Sequence, residues 1–164
     1  MRKLRRADKA LSIEQSIEIL KCGDYGTLSM VGIDGGGYGV ALNYIYCEDK
    51  NTSEESLGYI YFHSATKGYK IENLKGDGRV SFLVVGSSEV VAAEFTTIFE
   101  SVMVHGMVDF DVTDSEKIDV LRGLVSKYSI DFKPQGEEVI EKYLKQTTIF
   151  KLAVKFISGK VNRA

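Results

Sequence analysis

The stretch from residue 61 to residue 70 holds the side chains best suited to binding a ligand. An aromatic, strand-like run ends there and a short helix is predicted to begin, with hydroxyls and lysines at the junction: Ser64, Thr66, Lys67 and Lys70. The first amides of a helix have no internal partner and the helix dipole attracts anions, so a phosphate could bind at this point. Lys67 and Lys70 are three residues apart and are expected on one helical face. The alternative is a capped helix with two solvated lysines, and these residues alone do not separate the two.

His63 closes the aromatic run beside this candidate anion site. As a neutral imidazole it could donate a hydrogen bond to the carbonyl of a bound ring, or stack on a cofactor. The alternative is a core histidine whose nitrogens are satisfied by the backbone, and the residues taken alone favour that alternative.

A second candidate is the strand predicted around residues 38–44, in which Gly39 and Ala41 alternate with larger residues. Small side chains let a flat ring approach the backbone, whose N–H and C=O groups could then bind the polar edge of the ring. The alternative is a small–large packing alternation within a barrel.

Composition narrows the possible functions. The 164 residues fit a single domain, 1–164, and the net charge of -2 gives no general attraction for nucleic acid or an anionic membrane. Two cysteines and two histidines argue against a disulfide scaffold and a metal site. No apolar run is long enough to cross a bilayer and the first residues do not form a secretory signal, so a cytoplasmic protein is expected. Because nucleotide-binding glycine motifs and nucleophile motifs are also missing, a bound cofactor is the most economical source of reactivity.

The pattern of elements predicts a mainly β (α+β) fold, an antiparallel barrel with flanking helices. Six strands are expected, at residues 25–31, 38–47, 58–63, 79–86, 95–112 and 148–157. Few βαβ crossovers are visible, which favours hairpins over a doubly wound parallel sheet. Gly106 marks an expected bend in the fifth strand. In the last strand one face is expected to be buried, with Phe150, Leu152, Val154 and Phe156 on it.

Helices are predicted to flank these strands. Two of them should begin at capping boxes, Ser12 with Gln15 and Thr113 with Glu116. Two shorter helices are expected at about residues 66–75 and at residues 137–145. Two loops are predicted. One is the polar segment 48–56, and the other follows the fourth strand and runs to about residue 92.

Several segments, taken in order, resemble the pyridoxamine 5'-phosphate oxidase-like split-barrel flavoproteins, and within them the 5-nitroimidazole resistance (Nim) proteins. They are YGTLSM at 25–30, YGVAL at 38–42, IYFHSA at 60–65, GYKI at 68–71, RVSF at 79–82, FTTIFESV at 95–102 and ISGK at 157–160. Each segment is unspecific alone, but the ordered set covers most of the chain and is specific.

The resemblance implies a six-stranded split barrel with flanking helices, a homodimer, and FMN (flavin mononucleotide) bound across the dimer interface. The strand along the flavin would supply five cofactor-binding residues: Gly39, Val40, Ala41, Leu42 and Asn43. His63 would lie beside the ring as the catalytic residue, with Ser64 near the ribityl-phosphate chain. Lys70 would pair with the phosphate, and Lys67 would assist it.

The resulting hypothesis is an FMN-dependent oxidoreductase that reduces a small organic acceptor such as a nitro-aromatic compound. NAD(P)H or another reductant would supply the electrons, and no nucleic acid, membrane or metal is expected to take part. The alternatives are a non-catalytic flavin- or haem-binding module for storage or sensing, and a purely structural dimer.

Overall fold

The computed structural model describes residues 5–48 and 56–163, which form a mainly β structure with four α-helices. The strands are β1 (Ala10–Leu11), β2 (Gly26–Val31), β3 (Gly37–Leu42), β4 (Ile45–Cys47), β5 (Tyr59–Ala65), β6 (Arg79–Val91), β7 (Thr96–Asp109), β8 (Thr147–Ala153) and β9 (Phe156–Asn162). The helices are α1 (Ile13–Cys22), α2 (Tyr69–Gly76), α3 (Asp114–Tyr128) and α4 (Lys133–Tyr143). Most of the predicted loop at 48–56, namely residues 49–55, lies outside the described residues.

The described strands pair in antiparallel fashion in the order β3-β2-β6-β7-β8-β5-β4, and β9 pairs with β7 and β1. Strands β3 and β4 end this order and do not pair with each other, so the sheet does not close. The prediction of an antiparallel split barrel with flanking helices is therefore confirmed.

The described residues form nine strands where six were predicted, mainly because two of the predicted strands are each broken. The strand expected at 38–47 divides into β3 and β4, and the one expected at 148–157 divides into β8 and β9, while β1 adds a two-residue pair. The second break makes one prediction wrong: Phe156 does not share the buried face of Phe150. It starts β9 with 53% of its surface exposed, because the chain changes partner strand after the buried Val154.

The hairpin of β6 and β7 is longer than predicted. Strand β6 continues to Val91, beyond a register shift at Gly86, so most of the loop expected before the fifth strand is paired backbone. Strand β7 changes partner at the predicted corner, pairing with β9 as far as His105 and with β8 from Val108. Gly106 lies between these two pairings, and an added Cβ there would come within 2.8 Å of the Leu152 side chain.

Two hydrophobic clusters hold the sheet and helices together. The larger fills the inside of the sheet and includes the stacked rings of Phe62 and Phe150, with Phe82 packed edge-on against Phe62. The smaller cluster seats α3 against the sheet through Val120 and Leu124. Both predicted capping boxes are present, at the starts of α1 and α3. In the described part of the chain, no helix combines the length and apolar composition needed to cross a bilayer.

Candidate functional site

The opening of the sheet places two unpaired strand edges beside each other. Strand β3 pairs only with β2 among the described strands, and β4 covers β5 only from Tyr59 to Tyr61. Residues His63 to Ala65 pair with β8 on one side and have no strand partner on the other within the described chain. Alternate N–H and C=O groups along these edges are therefore available to a ligand, because an edge strand uses only half of its backbone groups for pairing.

The start of α2 lies next to this opening and has no side-chain cap. Its N-cap is Gly68, whose φ of 124° and ψ of 166° are accessible almost only to glycine. Because glycine offers no side-chain oxygen, the first amides of α2 keep their hydrogen-bonding capacity, in contrast to those of α1 and α3. The alternative of a capped helix thus does not hold.

The helix begins at Tyr69, three residues later than predicted. Lys67 precedes the N-cap, so the expectation that Lys67 and Lys70 share one helical face is wrong. The buried Asn73 attaches α2 to the β2–β3 turn, because its side-chain oxygen accepts a hydrogen bond of 3.0 Å from the Ile33 amide in that turn.

Lys70 supplies the positive charge at the opening, and the imidazole of His63 lies on the same wall of the cleft. Burial lowers the pKa of the half-buried Lys70 ammonium. Burial, followed by the nearby charge of Lys70, also lowers the pKa of His63 from its usual value, so its imidazole is neutral at pH 7. In residues 5–48 and 56–163, Lys70 forms no ion pair or side-chain hydrogen bond. A partly desolvated cation without a counter-charge favours an incoming anion.

The two strand edges and Lys70 of α2 line one cleft with a volume of about 600 Å³. Six of the predicted site residues line it: Ala41, Leu42, Asn43, His63, Ser64 and Lys70. Gly39, Val40 and Lys67 do not; Gly39 and Ala41 face away from the core, whereas Val40 packs against it. The lining contains no aspartate or glutamate, so nothing in it opposes an anion.

Asn43 was predicted to bind the cofactor, but its side-chain amide already donates a hydrogen bond to the Asp24 carbonyl at 3.0 Å and is therefore less available to a ligand. It lies at the break between β3 and β4, which α3 holds in place. The Tyr128 hydroxyl contacts the carbonyls of Asp24 at 2.6 Å and Tyr44 at 2.8 Å and accepts from the Tyr44 amide at 3.1 Å. The Lys127 ammonium donates to the Gly23 carbonyl at 2.6 Å.

Besides Ala65 at the end of β5, three residues of the cleft were missed by sequence reasoning: Tyr143, Gln146 and Thr147. They belong to the end of α4 and the connection into β8. The signal that could have found them is the pairing of the third and sixth predicted strands, since the observed register sets Ala65 opposite Thr147. Among the described residues, no three His, Cys, Asp or Glu side chains cluster closely enough to hold a metal ion.

Comparison with known proteins identifies the family. The family model described as pyridoxamine 5'-phosphate oxidase matches residues 12–161. The chain belongs to this family. No curated protein sequence matches it.

Solved structures of family-like proteins share the fold at low sequence identity. A candidate 5-nitroimidazole antibiotic resistance protein from Bacteroides thetaiotaomicron has a TM-score of 0.69 at 21% identity, over 93% of this chain and 86% of that one. The flavocytochrome of Azotobacter vinelandii has a TM-score of 0.77 at 18% identity, over 99% and 73%. An FAD- and haem-binding protein of Mycobacterium smegmatis has a TM-score of 0.75 at 17% identity, over 95% and 74%.

Proposed function

We propose that the cleft binds a flavin, FMN, with its phosphate at the start of α2 and its ring along β3. The observation that carries this proposal is that Lys70 lines this cleft: it is the second residue of α2, whose start has no side-chain cap, and it forms no ion pair among the described residues. Both groups favour a phosphate, the helix through free amides and its dipole, and the lysine through its charge. Family relatives described as a flavocytochrome and as an FAD- and haem-binding protein support a flavin in particular.

The ring would find suitable partners on the other side of the cleft. The free edge of β3 offers amides and carbonyls to the polar rim of an isoalloxazine, and the small Ala41 allows close approach. His63 is neutral at pH 7 because burial and Lys70 lower its pKa, so it can donate or accept a hydrogen bond without a charge.

The reaction we propose is the reduction of a small organic acceptor such as a nitro-aromatic compound. A bound flavin supplies two-electron chemistry, accepting electrons from NAD(P)H or another reductant and passing them on. Two electrons and two protons convert a nitro group to a nitroso group and water. In this scheme the chain orients the ring, limits water around it, and places His63 as a proton-handling group next to the acceptor.

We propose that the protein is a homodimer, because a second copy would bury the free edge of β3 and the exposed apolar residues of the β6–β7 hairpin. At the hairpin tip, Phe95 is 98% exposed, and Val90 is exposed beside it. Sedimentation equilibrium of the purified protein tests this directly: a single monomeric species at micromolar concentration would contradict it.

The experiment for the flavin is the absorbance spectrum of freshly purified protein, with mass spectrometry of the released cofactor to separate FMN from FAD. Addition of NAD(P)H without oxygen is expected to bleach the flavin bands, and a nitroimidazole is expected to restore them. Protein that lacks flavin and does not take up added FMN would overturn the proposal. Protein that binds FMN but resists every reductant would remove only the catalytic part.

The second candidate function is a flavin- or haem-binding module without turnover. It is favoured by the same neutral His63, because a neutral imidazole at the wall of a cleft is a suitable axial ligand for haem iron. A Soret band after haem addition that is lost in His63→Ala would support this module, whereas an unchanged spectrum in the variant would exclude His63 as the ligand.

A further inference from the structure

A second cavity lies behind His63, between α3, α4 and the end of β5. It has a volume of about 370 Å³, which is within the range of pockets that hold small organic ligands. Its apolar wall is formed by two helices and the 3-10 turn between them: Leu121, Leu124, Val125, Phe132, Val139 and Ile140. None of its lining residues is an aspartate, glutamate, lysine or arginine.

Helices α3 and α4 approach each other closely at one wall of this space. Gly136 of α4 faces Val125 of α3, and an added Cβ at Gly136 would come within 2.6 Å of a Val125 methyl carbon. Val125 and Gly136 both line the cavity, and His63 lines it as well. Phe132 and Val139 remain largely exposed beside it, and an exposed apolar cluster around a concave site is typical of ligand binding.

The cavity and the proposed flavin cleft share a wall. His63, Tyr143 and Thr147 line both of them, so a ligand in the cavity would lie directly beside a ring in the cleft. The two cavities differ in chemistry: the cleft carries the Lys70 charge, whereas the cavity has only uncharged groups. An anion would therefore be held in the cleft and a neutral apolar molecule in the cavity.

From this arrangement we infer that the cavity between α3 and α4 is the acceptor subsite, and that it binds a neutral aromatic molecule with its polar group directed at His63 and Tyr143. The ring of the acceptor packs among the α3 and α4 side chains, and its reducible group lies at the shared wall. The assignment of the ligand as an electron acceptor rests on the proposed flavin function, whereas its binding in the cavity does not.

Binding of 4-fluoronitrobenzene to the flavin-free protein, followed by 19F NMR, tests the subsite without any turnover. Val139→Trp fills the cavity from α4, and Gln135→Trp fills it from the preceding turn of the same helix. Ile130→Trp is the matched control, because Ile130 is 62% exposed, similar to Val139 at 55%, but does not line the cavity. Thermal melts followed by circular dichroism verify that each variant is folded.

The expected result is binding to the wild type and to Ile130→Trp, weakened about tenfold or more in each cavity variant that is folded, since an added indole removes the contacts available to the ligand. No binding to the wild type, or equal affinity in all four proteins, would overturn the inference. FMN uptake is measured separately on the wild type. Probe binding without FMN uptake would support the cavity site and contradict the flavin function. FMN uptake without probe binding would support the flavin function and contradict the cavity site.

Discussion

Replacing Lys70 with methionine isolates the charge at the centre of the proposed phosphate site. Methionine keeps much of the length and apolar volume of the lysine stem but carries no ammonium group. Since Lys70 forms no ion pair or side-chain hydrogen bond within the described residues, its loss removes no internal partner. The substitution therefore tests binding with little disturbance of folding.

The expected loss of FMN affinity follows from the energy of a hydrogen bond between the Lys70 ammonium and the phosphate. A charge-assisted hydrogen bond contributes about 1.5–3 kcal/mol, and about 1.4 kcal/mol changes an affinity tenfold. Lys70→Met is therefore expected to weaken FMN binding about 10- to 150-fold. Lys67 is exposed and does not line the cleft, so Lys67→Met should weaken FMN binding less than about fivefold.

The assay is quenching of flavin fluorescence on titration with cofactor-free protein, using FMN and riboflavin in parallel. Riboflavin has the same ring without the phosphate, so Lys70→Met should leave its affinity nearly unchanged. The FMN affinity of the wild type should also fall with added salt more steeply than that of Lys70→Met.

Two measurements on the cofactor-free protein serve as controls. Burial lowers the pKa of Lys70, which means that the folded state disfavours its charged form. Lys70→Met should therefore not lower the midpoint of thermal unfolding. The pKa of His63, which burial and then Lys70 lower, should rise in the variant when followed by NMR. Equal losses of FMN and riboflavin affinity, or an equal FMN loss in the Lys67 variant, would refute the placement of the phosphate at Lys70.

Three further predictions concern the frame around the cleft. Tyr128→Phe removes a hydroxyl that contacts three backbone groups at the β3–β4 break and should lower the free energy of unfolding in urea by about 1–3 kcal/mol; no change would show that solvent replaces it. Gly68→Ala forces an L-residue to φ 124° and should destabilise by about 1–3 kcal/mol in the same assay, with Gly37→Ala as the open-space comparison. Glu116→Gln should destabilise the protein by about 1 kcal/mol at pH 7. Burial raises the pKa of Glu116, but the hydrogen bonds from Tyr61 and Lys151 outweigh it and lower the pKa overall, so these bonds stabilise the charged carboxylate. That folded-state stabilisation is present above the usual pKa of about 4.5 and is lost as pH falls through the lowered pKa of the folded state. The wild-type and variant urea curves should therefore converge in acid, and a gap that does not change with pH would contradict the assignment.

The sequence predicted the elements whose signals are local. Ser12 and Gln15 formed the expected capping box, as did Thr113 and Glu116, because such a box depends only on residues three apart. The corner at Gly106 was also predictable, since a glycine inside an apolar strand indicates a close approach of backbones.

Strand breaks and side-chain faces depend on distant partners and were predicted less well. Phe156 continues the alternation of Phe150, yet it is exposed because the chain leaves β5 after Val154 and pairs with β7 instead. Nothing local marks this exchange. The same holds for Tyr143 in the cleft, which arrives there through the packing of α4 and not through any motif.

The site residues near the end of β5 and the start of α2 were predicted from the sequence, because these two elements follow each other along the chain. The residues of β3, on the other side of the cleft, were predicted less well. Ser64 and Lys70 are close in sequence to His63, so their joint presence in the cleft could be anticipated. Gly39 and Val40 were assigned by the span of the strand, but only its last residues reach the cleft because the sheet opens beside them. Lys67 was misplaced because Gly68 delays the helix.

The contrast between the helix starts supports the proposal that the opening of the sheet is a binding site. A Ser, Thr, Asn or Asp cap stabilises a helix by about 1 kcal/mol, and the chain uses such caps for α1 and α3. At α2 it has instead a glycine in a conformation that disfavours any side chain, and close to it a half-buried lysine that has no counter-charge among the described residues. Each choice lowers the stability of the cofactor-free protein. An anion that accepts from the free amides and neutralises the ammonium would reverse both effects, so under the proposed function the local instability and the affinity for phosphate have the same physical origin.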